Sequence, residues 1–194
     1  MRTGLPKRLN YQDAAFANFE RDNMPLNVGS VGVYEGTIPY QAYLEHVDRR
    51  IDQIPRYRQR LIEAPFSLAF PEWVDDPRFD ITRHVRSVTL PPPGSKQQLA
   101  DVAAAFFAEP LSREKPLWEI LLVHGLANHR TAHVAKVHHC MVDGVSGVGL
   151  LAALLDLEPK PAAQRRRGRR EPAPPLPGPQ RRLSDAFFDA WGEL

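Results

Sequence analysis

The chain has 194 residues, 43% of them hydrophobic and 25% charged, with a formal net charge of +2. That is enough for one domain with a real core and a little extra, whereas two complete domains would be a tight fit. The single cysteine, Cys140, excludes an internal disulfide and gives no sign of an oxidising compartment. The first residues carry charge but no apolar segment of signal-peptide length. The longest apolar runs are about 4–6 residues, where roughly 20 are needed to span a bilayer. The expectation is a cytoplasmic protein whose contact with membrane or lipid inclusions, if there is one, is peripheral.

The small net charge hides an uneven distribution. Residues 1–158 hold 17 Lys+Arg against 19 Asp+Glu, so they are close to neutral. Residues 159–182 hold 8 basic residues against one acid, Glu171, together with seven of the 19 prolines. Proline removes donors and fixes φ, and like charges repel, so neither helix nor strand is expected there. This segment reads as a solvated linker rather than a nucleic-acid-binding patch, and nucleic acid is not expected as a partner.

In chain order the pattern before the linker is α/β. Residues 26–35 read as a strand. Pro39 starts a helix that carries Tyr43, Leu44, Val47 and Ile51 on one stripe. Residues 60–64 and 68–74 are strand-like runs broken by Pro65 and Pro71, and Val85–Leu90 is a further strand closed by a Pro-Pro-Pro-Gly turn. Lys96–Ala108 reads as a helix with Leu99, Val102, Ala103 and Phe106 on one face. Leu117–Val123 and Thr131–His139 read as two strands joined by a polar turn, and Val145–Leu155 as an apolar helix. Beyond the linker, Leu183, Phe187, Phe188 and Trp191 fall at helical spacing with Ser184 as a cap. A short amphipathic helix with no core beside it implies a chain that continues. The expected organisation is a domain over 1–158, a linker over 159–182, and the start of a further helix over 183–194.

Five of the seven histidines lie between His124 and His139. A metal site needs converging ligands, commonly in pairs a few residues apart on a helix or turn, and His124, His129, His133, His138 and His139 on strands do not have that spacing. Adjacent strand residues point to opposite faces, so His138 and His139 share one cavity only if the strand ends between them. A general base gains support from Asp143-Gly144, which lies just beyond the pair. Gly144 permits a tight turn before a helix, and strand ends at such corners are where α/β sheets commonly build sites. A neutral imidazole takes a proton from a hydroxyl near neutral pH, and Asp143 is placed to orient it or to brace the corner through an arginine. The pattern alone leaves the general base and an ordinary strand end both open. Gly144, Gly147 and Gly149 do not make a dinucleotide fingerprint, and Met141 and Val142 beside Cys140 point to a buried thiol rather than a nucleophile.

The run His138-His139-Cys140-Met141-Val142-Asp143-Gly144 resembles the HHxxxDG motif of the CoA-dependent acyltransferases, which include chloramphenicol acetyltransferase and peptide-synthetase condensation domains. Pro116-Leu117-Trp118-Glu119 with Gly125-Leu126 resembles a block of the bacterial wax ester synthase/diacylglycerol acyltransferase family. So do Pro71-Glu72-Trp73-Val74, Phe79-Asp80, His84-Val85, the Leu90–Gly94 turn, and Asp13-Ala14 with Phe16. These blocks keep their order over residues 9–157. The chain departs from the family pattern at Leu26-Asn27, where a histidine is usual, and at Cys140 and Ser112.

The resemblance implies an α/β fold like chloramphenicol acetyltransferase, a two-layer sandwich of mixed sheet and helices, with this chain supplying the first of two halves. It implies His139 as general base, His138 as its motif neighbour, Asp143 as the residue holding the corner, and Gly144 as the turn. The implied reaction moves a long-chain acyl group from acyl-CoA to a fatty alcohol or diacylglycerol hydroxyl. Acyl-CoA is then a co-substrate, with no permanently bound cofactor and no metal. The alternative is an inactive half-module that needs a second, C-terminal half or self-association.

Overall fold

The computed structural model describes residues 7–21, 23–142 and 173–192. Asp143, Gly144, the expected helix Val145–Leu155 and most of the expected linker lie outside the described residues.

The core is a four-stranded mixed sheet formed by β1 (Asn27–Glu35), β4 (Val85–Thr89), β5 (Trp118–Leu126) and β6 (Arg130–His138), in the order β1-β6-β5-β4. β6 pairs antiparallel with β1 and with β5, whereas β4 and β5 are parallel. A separate antiparallel pair joins β2 (Gln59–Ile62) to β3 (Glu72–Asp75). The central strands β5 and β6 are buried almost throughout, and the edge strand β1 leaves Val28, Val31 and Val33 partly exposed. Continuous apolar runs belong to strands covered on both faces.

One face holds Trp118, Ile120, Leu122, Ala135 and Val137. It packs on α1 (Tyr11–Phe19) through Ala14 and Ala17, and on α2 (Tyr40–Ile51) through Tyr43, Leu44, Val47 and Ile51. The opposite face holds Leu121, Val123, Ala132 and Val134 and packs on Leu99, Ala103 and Phe106 of α3 (Lys96–Ala108). Both stripes follow from apolar residues recurring on one side of a 3.6-residue period. α3 starts at a capping box. The Ser95 hydroxyl accepts the Gln98 N–H at 3.2 Å, and the Gln98 side chain accepts the Ser95 N–H at 2.7 Å.

Three differences from the sequence reading have physical causes. β5 runs past Val123 to Leu126, because Gly125 adopts φ +78° and lies against the Leu90 backbone, where a Cβ would fall 2.5 Å from the Leu90 carbonyl oxygen. Gly125, expected as the start of the polar turn, therefore lies at a bulge within a strand. α1 has a weak apolar stripe and was not expected as an element. Asn10 caps it by accepting the Asp13 N–H at 2.8 Å. The last helix, α4 (Pro179–Gly192), begins ahead of Leu183, and Ser184 lies inside it, donating to the Arg181 carbonyl at 2.9 Å instead of capping it. This helix also has a neighbour. Ala186 is fully buried, Asp185 pairs with Lys7 at 3.6 Å, and Asp189 accepts from Arg8.

Candidate active site

β6 ends between the two adjacent histidines. The His138 N–H donates to the Leu117 carbonyl at 2.9 Å, and the His139 N–H donates to the Leu26 carbonyl, just before β1, at 2.8 Å. A short 3-10 turn over His139–Met141 comes next, closed by the Val142 N–H on the His139 carbonyl at 3.1 Å. The two rings consequently occupy different environments.

The His138 ring is fully buried and caps this turn, its Nδ1 accepting the Cys140 N–H at 3.1 Å. That bond requires a lone pair at Nδ1, so in the neutral ring the proton sits on Nε2. Nε2 lies 3.3 Å from Oε1 of Glu20, an ion-pair distance without the alignment of a regular hydrogen bond. Burial holds the His138 pKa below its ordinary value, with Glu20 opposing the shift and Arg113 adding to it.

The His139 ring is half-buried and stacks on Phe16 of α1, with ring centroids 3.9 Å apart and an interplanar angle of 30°. Its Nδ1 is buried without a hydrogen-bond partner among the described residues. An unpaired buried nitrogen costs about 1–3 kcal/mol. Of the two histidines, the first is tied to the backbone through Nδ1, whereas Nδ1 of the second has no partner among the described residues.

Glu20, at the C-terminal end of α1, accepts the Leu26 N–H through Oε1 at 3.3 Å and lies 3.7 Å from Arg113 through Oε2. Arg113 also donates to the Ala17 carbonyl and pairs with Glu63 at 3.0 Å. Sequence reasoning missed Glu20 and Arg113. The available signal for α1 was Asn10 followed by Asp13, a cap with an acid in the first turn.

The other histidines do not join this corner. His124 and His129 lie at the opposite end of the sheet, around the β5–β6 turn. His133 is buried in mid-strand, with Nδ1 2.9 Å from the Tyr34 hydroxyl. Among the described residues no three His, Cys, Asp or Glu side chains come together as metal ligands. Cys140 is buried, which pushes its thiol up to about 12, so it is no thiolate nucleophile at neutral pH. Asn27, at a position where the resemblance leads one to expect a histidine nearby, instead donates to the Phe107 and Glu109 carbonyls at 3.1 and 3.2 Å and ties β1 to the end of α3.

A mixed sheet with helices on its faces and a strand that ends in tandem histidines belongs to the chloramphenicol-acetyltransferase-like class of folds. The starter condensation domain of rhizomide synthetase has the same fold, with a TM-score of 0.62 at 17% identity, over 76% of this chain and 36% of that one. Within that class the chain belongs to the wax ester synthase/diacylglycerol acyltransferase catalytic-domain family, whose model matches residues 9–189. Among relatives, "Probable diacyglycerol O-acyltransferase tgs3" of Mycobacterium tuberculosis is 40% identical over 80% of this chain and 59% of its own length. "Probable diacyglycerol O-acyltransferase tgs1" of the same species is 42% identical over 74% of this chain and 32% of its own. The wax ester synthase/diacylglycerol acyltransferase from Marinobacter aquaeolei superposes with a TM-score of 0.61 at 30% identity, covering 74% of this chain and 36% of that one. The chain therefore spans between about a third and three fifths of the length of the relatives it matches.

Proposed function

We propose that this chain carries the proton-transfer site of an acyl-CoA-dependent O-acyltransferase acting on a fatty alcohol or diacylglycerol. The observation that carries the proposal is the half-exposed His139 ring at the end of β6, beside a motif neighbour that is fully buried and caps the following turn through Nδ1. In this reading Nε2 of His139 takes the proton of the acceptor hydroxyl as the oxygen attacks the thioester carbonyl of acyl-CoA. The C–S bond breaks, CoA leaves as the thiolate and recovers the proton from His139, and an ester is formed. No acyl-enzyme and no metal are needed. Asp143 braces the corner and Gly144 supplies its turn. Residues 1–158 form the acyltransferase domain, and the segment between it and α4 serves as a linker. In this reading contact with a membrane or lipid inclusion is peripheral; no helix among the described residues is long and apolar enough to cross a bilayer.

A second reading is a half-module that becomes active only with a C-terminal half or with another copy of itself. The chain's coverage of its relatives supports it, as does the exposed outer strand β1. A cell-free assay with long-chain acyl-CoA and either acceptor separates the two, combined with size-exclusion chromatography. Ester formation by a monomer, abolished in His139→Ala, supports the first reading. Product undiminished in His139→Ala would overturn it, and activity found only in an oligomer or after adding a second half supports the second.

A further inference from the structure

We propose that Glu20 is the positioning residue of this site: from the end of α1 it holds the His138 ring as the Nε2–H tautomer and, through His138 and Leu26, fixes the turn that carries His139.

The argument starts from a backbone donor. The Cys140 N–H has a buried acceptor in Nδ1 of His138, at 3.1 Å. Should the His138 proton move to Nδ1, two donors would face each other and the first turn after β6 would lose its cap. The Cys140 N–H favours the proton on Nε2, and a buried acceptor beside that nitrogen, Oε1 of Glu20 at 3.3 Å, reinforces it. The Glu20 side chain is itself only 8% exposed, so this carboxylate is costly to bury unless it is held in place. Arg113 lies beside it at 3.7 Å and also ties down the Ala17 carbonyl near the end of the same helix.

A second route runs through Leu26. Its N–H donates to Oε1 of Glu20 at 3.3 Å, and its carbonyl accepts the His139 N–H at 2.8 Å. Glu20 thus reaches the backbone N–H groups on either side of residue His139, that of Cys140 through the His138 ring and that of His139 through Leu26. Phe16, on the same helix, adds the stack on the His139 ring. One short helix therefore sets the orientation of both histidines.

The test uses the whole chain, labelled with nitrogen-15 in histidine. Imidazole nitrogen shifts report which ring nitrogen of His138 carries the proton, and amide exchange reports the His139 N–H. The expected result is a His138 Nε2–H tautomer in the unsubstituted protein. In Glu20→Leu the tautomer becomes mixed and His139 amide exchange rises by about tenfold or more, while in Glu20→Gln, which keeps an acceptor oxygen, both are largely restored. A Nδ1–H tautomer in the unsubstituted protein overturns the proposal and needs no variant that folds. Unchanged tautomer and exchange in a folded Glu20→Leu also overturn it. A kinetic arm rests on the proposed role of His139: Glu20→Leu lowers kcat about tenfold with little change in KM for acyl-CoA, and Gln recovers part of the loss. Absence of acyl transfer in the unsubstituted chain counts against that role alone, because the tautomer and exchange measurements still decide the role of Glu20.

Discussion

Two buried polar constellations sit two residues apart on β6, and they are built on opposite terms. Lys136 is fully buried on the α3 side. Its Nζ donates to the Phe106 and Glu109 carbonyls at 2.7 and 2.8 Å, lies 3.7 Å from Glu119, and sits 4.3 Å from the Phe106 ring centroid. These carbonyls belong to the C-terminal end of α3, where a cation is favoured by the helix dipole and by otherwise orphaned acceptors. Glu119 is paired in turn with Lys115 at 2.6 Å and with Arg86 at 3.2 Å. Every group there has a partner. At the end of the strand, by contrast, His139 keeps an unpaired Nδ1 and the Glu20–His138 contact is not aligned. A fully satisfied buried network anchors an element, whereas an unsatisfied one leaves capacity for chemistry.

The difference sets opposite signs for substitutions at the two places. Lys136→Met leaves two buried carbonyls without a donor and should cost about 3 kcal/mol, read as a shift of the urea midpoint at constant slope. It should leave the His138 tautomer untouched, and coupling between the two would show that the constellations are not separate.

Acid should weaken the protein chiefly through the face that bears the site. His84 is sandwiched between Trp118 and Phe79, with Nδ1 donating to the Trp118 carbonyl at 2.8 Å, and burial lowers its pKa from 6.5 to about 4. A histidine with a depressed folded pKa binds its proton more readily in the unfolded chain. Its contribution is therefore intact above pH 6.5 and falls away between 6.5 and about 4, by up to roughly 3 kcal/mol. His133 and His138, both lowered by burial, act in the same direction. Thermal midpoints measured across this window in the unsubstituted protein and in His84→Phe should diverge, the variant showing the flatter profile.

Arg113→Met removes the cation beside Glu20 and the donor to Ala17, at an expected cost of about 1–2 kcal/mol. Because Arg113 lowers the His138 pKa, its loss should raise that pKa, which a nitrogen-15 titration would register. The smallest effect has the opposite sign. His139→Phe replaces a ring with an unpaired buried nitrogen by an apolar ring that can keep the stack on Phe16, and should stabilise the fold by up to about 1 kcal/mol. Destabilisation of similar size to Lys136→Met would erase the contrast between the two constellations.

The extent to which the sequence could be read depends on how local each signal is. The α2 stripe Tyr43, Leu44, Val47 and Ile51 is buried as its spacing requires, and α3 spans Lys96–Ala108 as read, because periodicity and a Ser-x-x-Gln cap are written in consecutive residues. The strand ending at the tandem histidines was legible for the same reason. α1 was not, since it buries little beyond two alanines and Phe16, and β5 looked shorter than it is because the reason for Gly125 lies across the fold at Leu90.

Taken alone, the sequence determined the α/β class, the helices and strands with strong periodicity, and a corner bearing His138 and His139, because these depend on neighbours along the chain. Spacing left the two histidines equivalent. The family resemblance singled out His139, and the tertiary structure gives the two rings physically different surroundings. Glu20 and Arg113 lie far from His138 in sequence, and it is their arrival at the end of β6 that gives one ring a buried acceptor and a tautomer. The other ring is left stacked on Phe16 with a nitrogen to spare. Tautomer and burial are set by atoms brought together in space, which no pattern within the run His138–Met141 encodes.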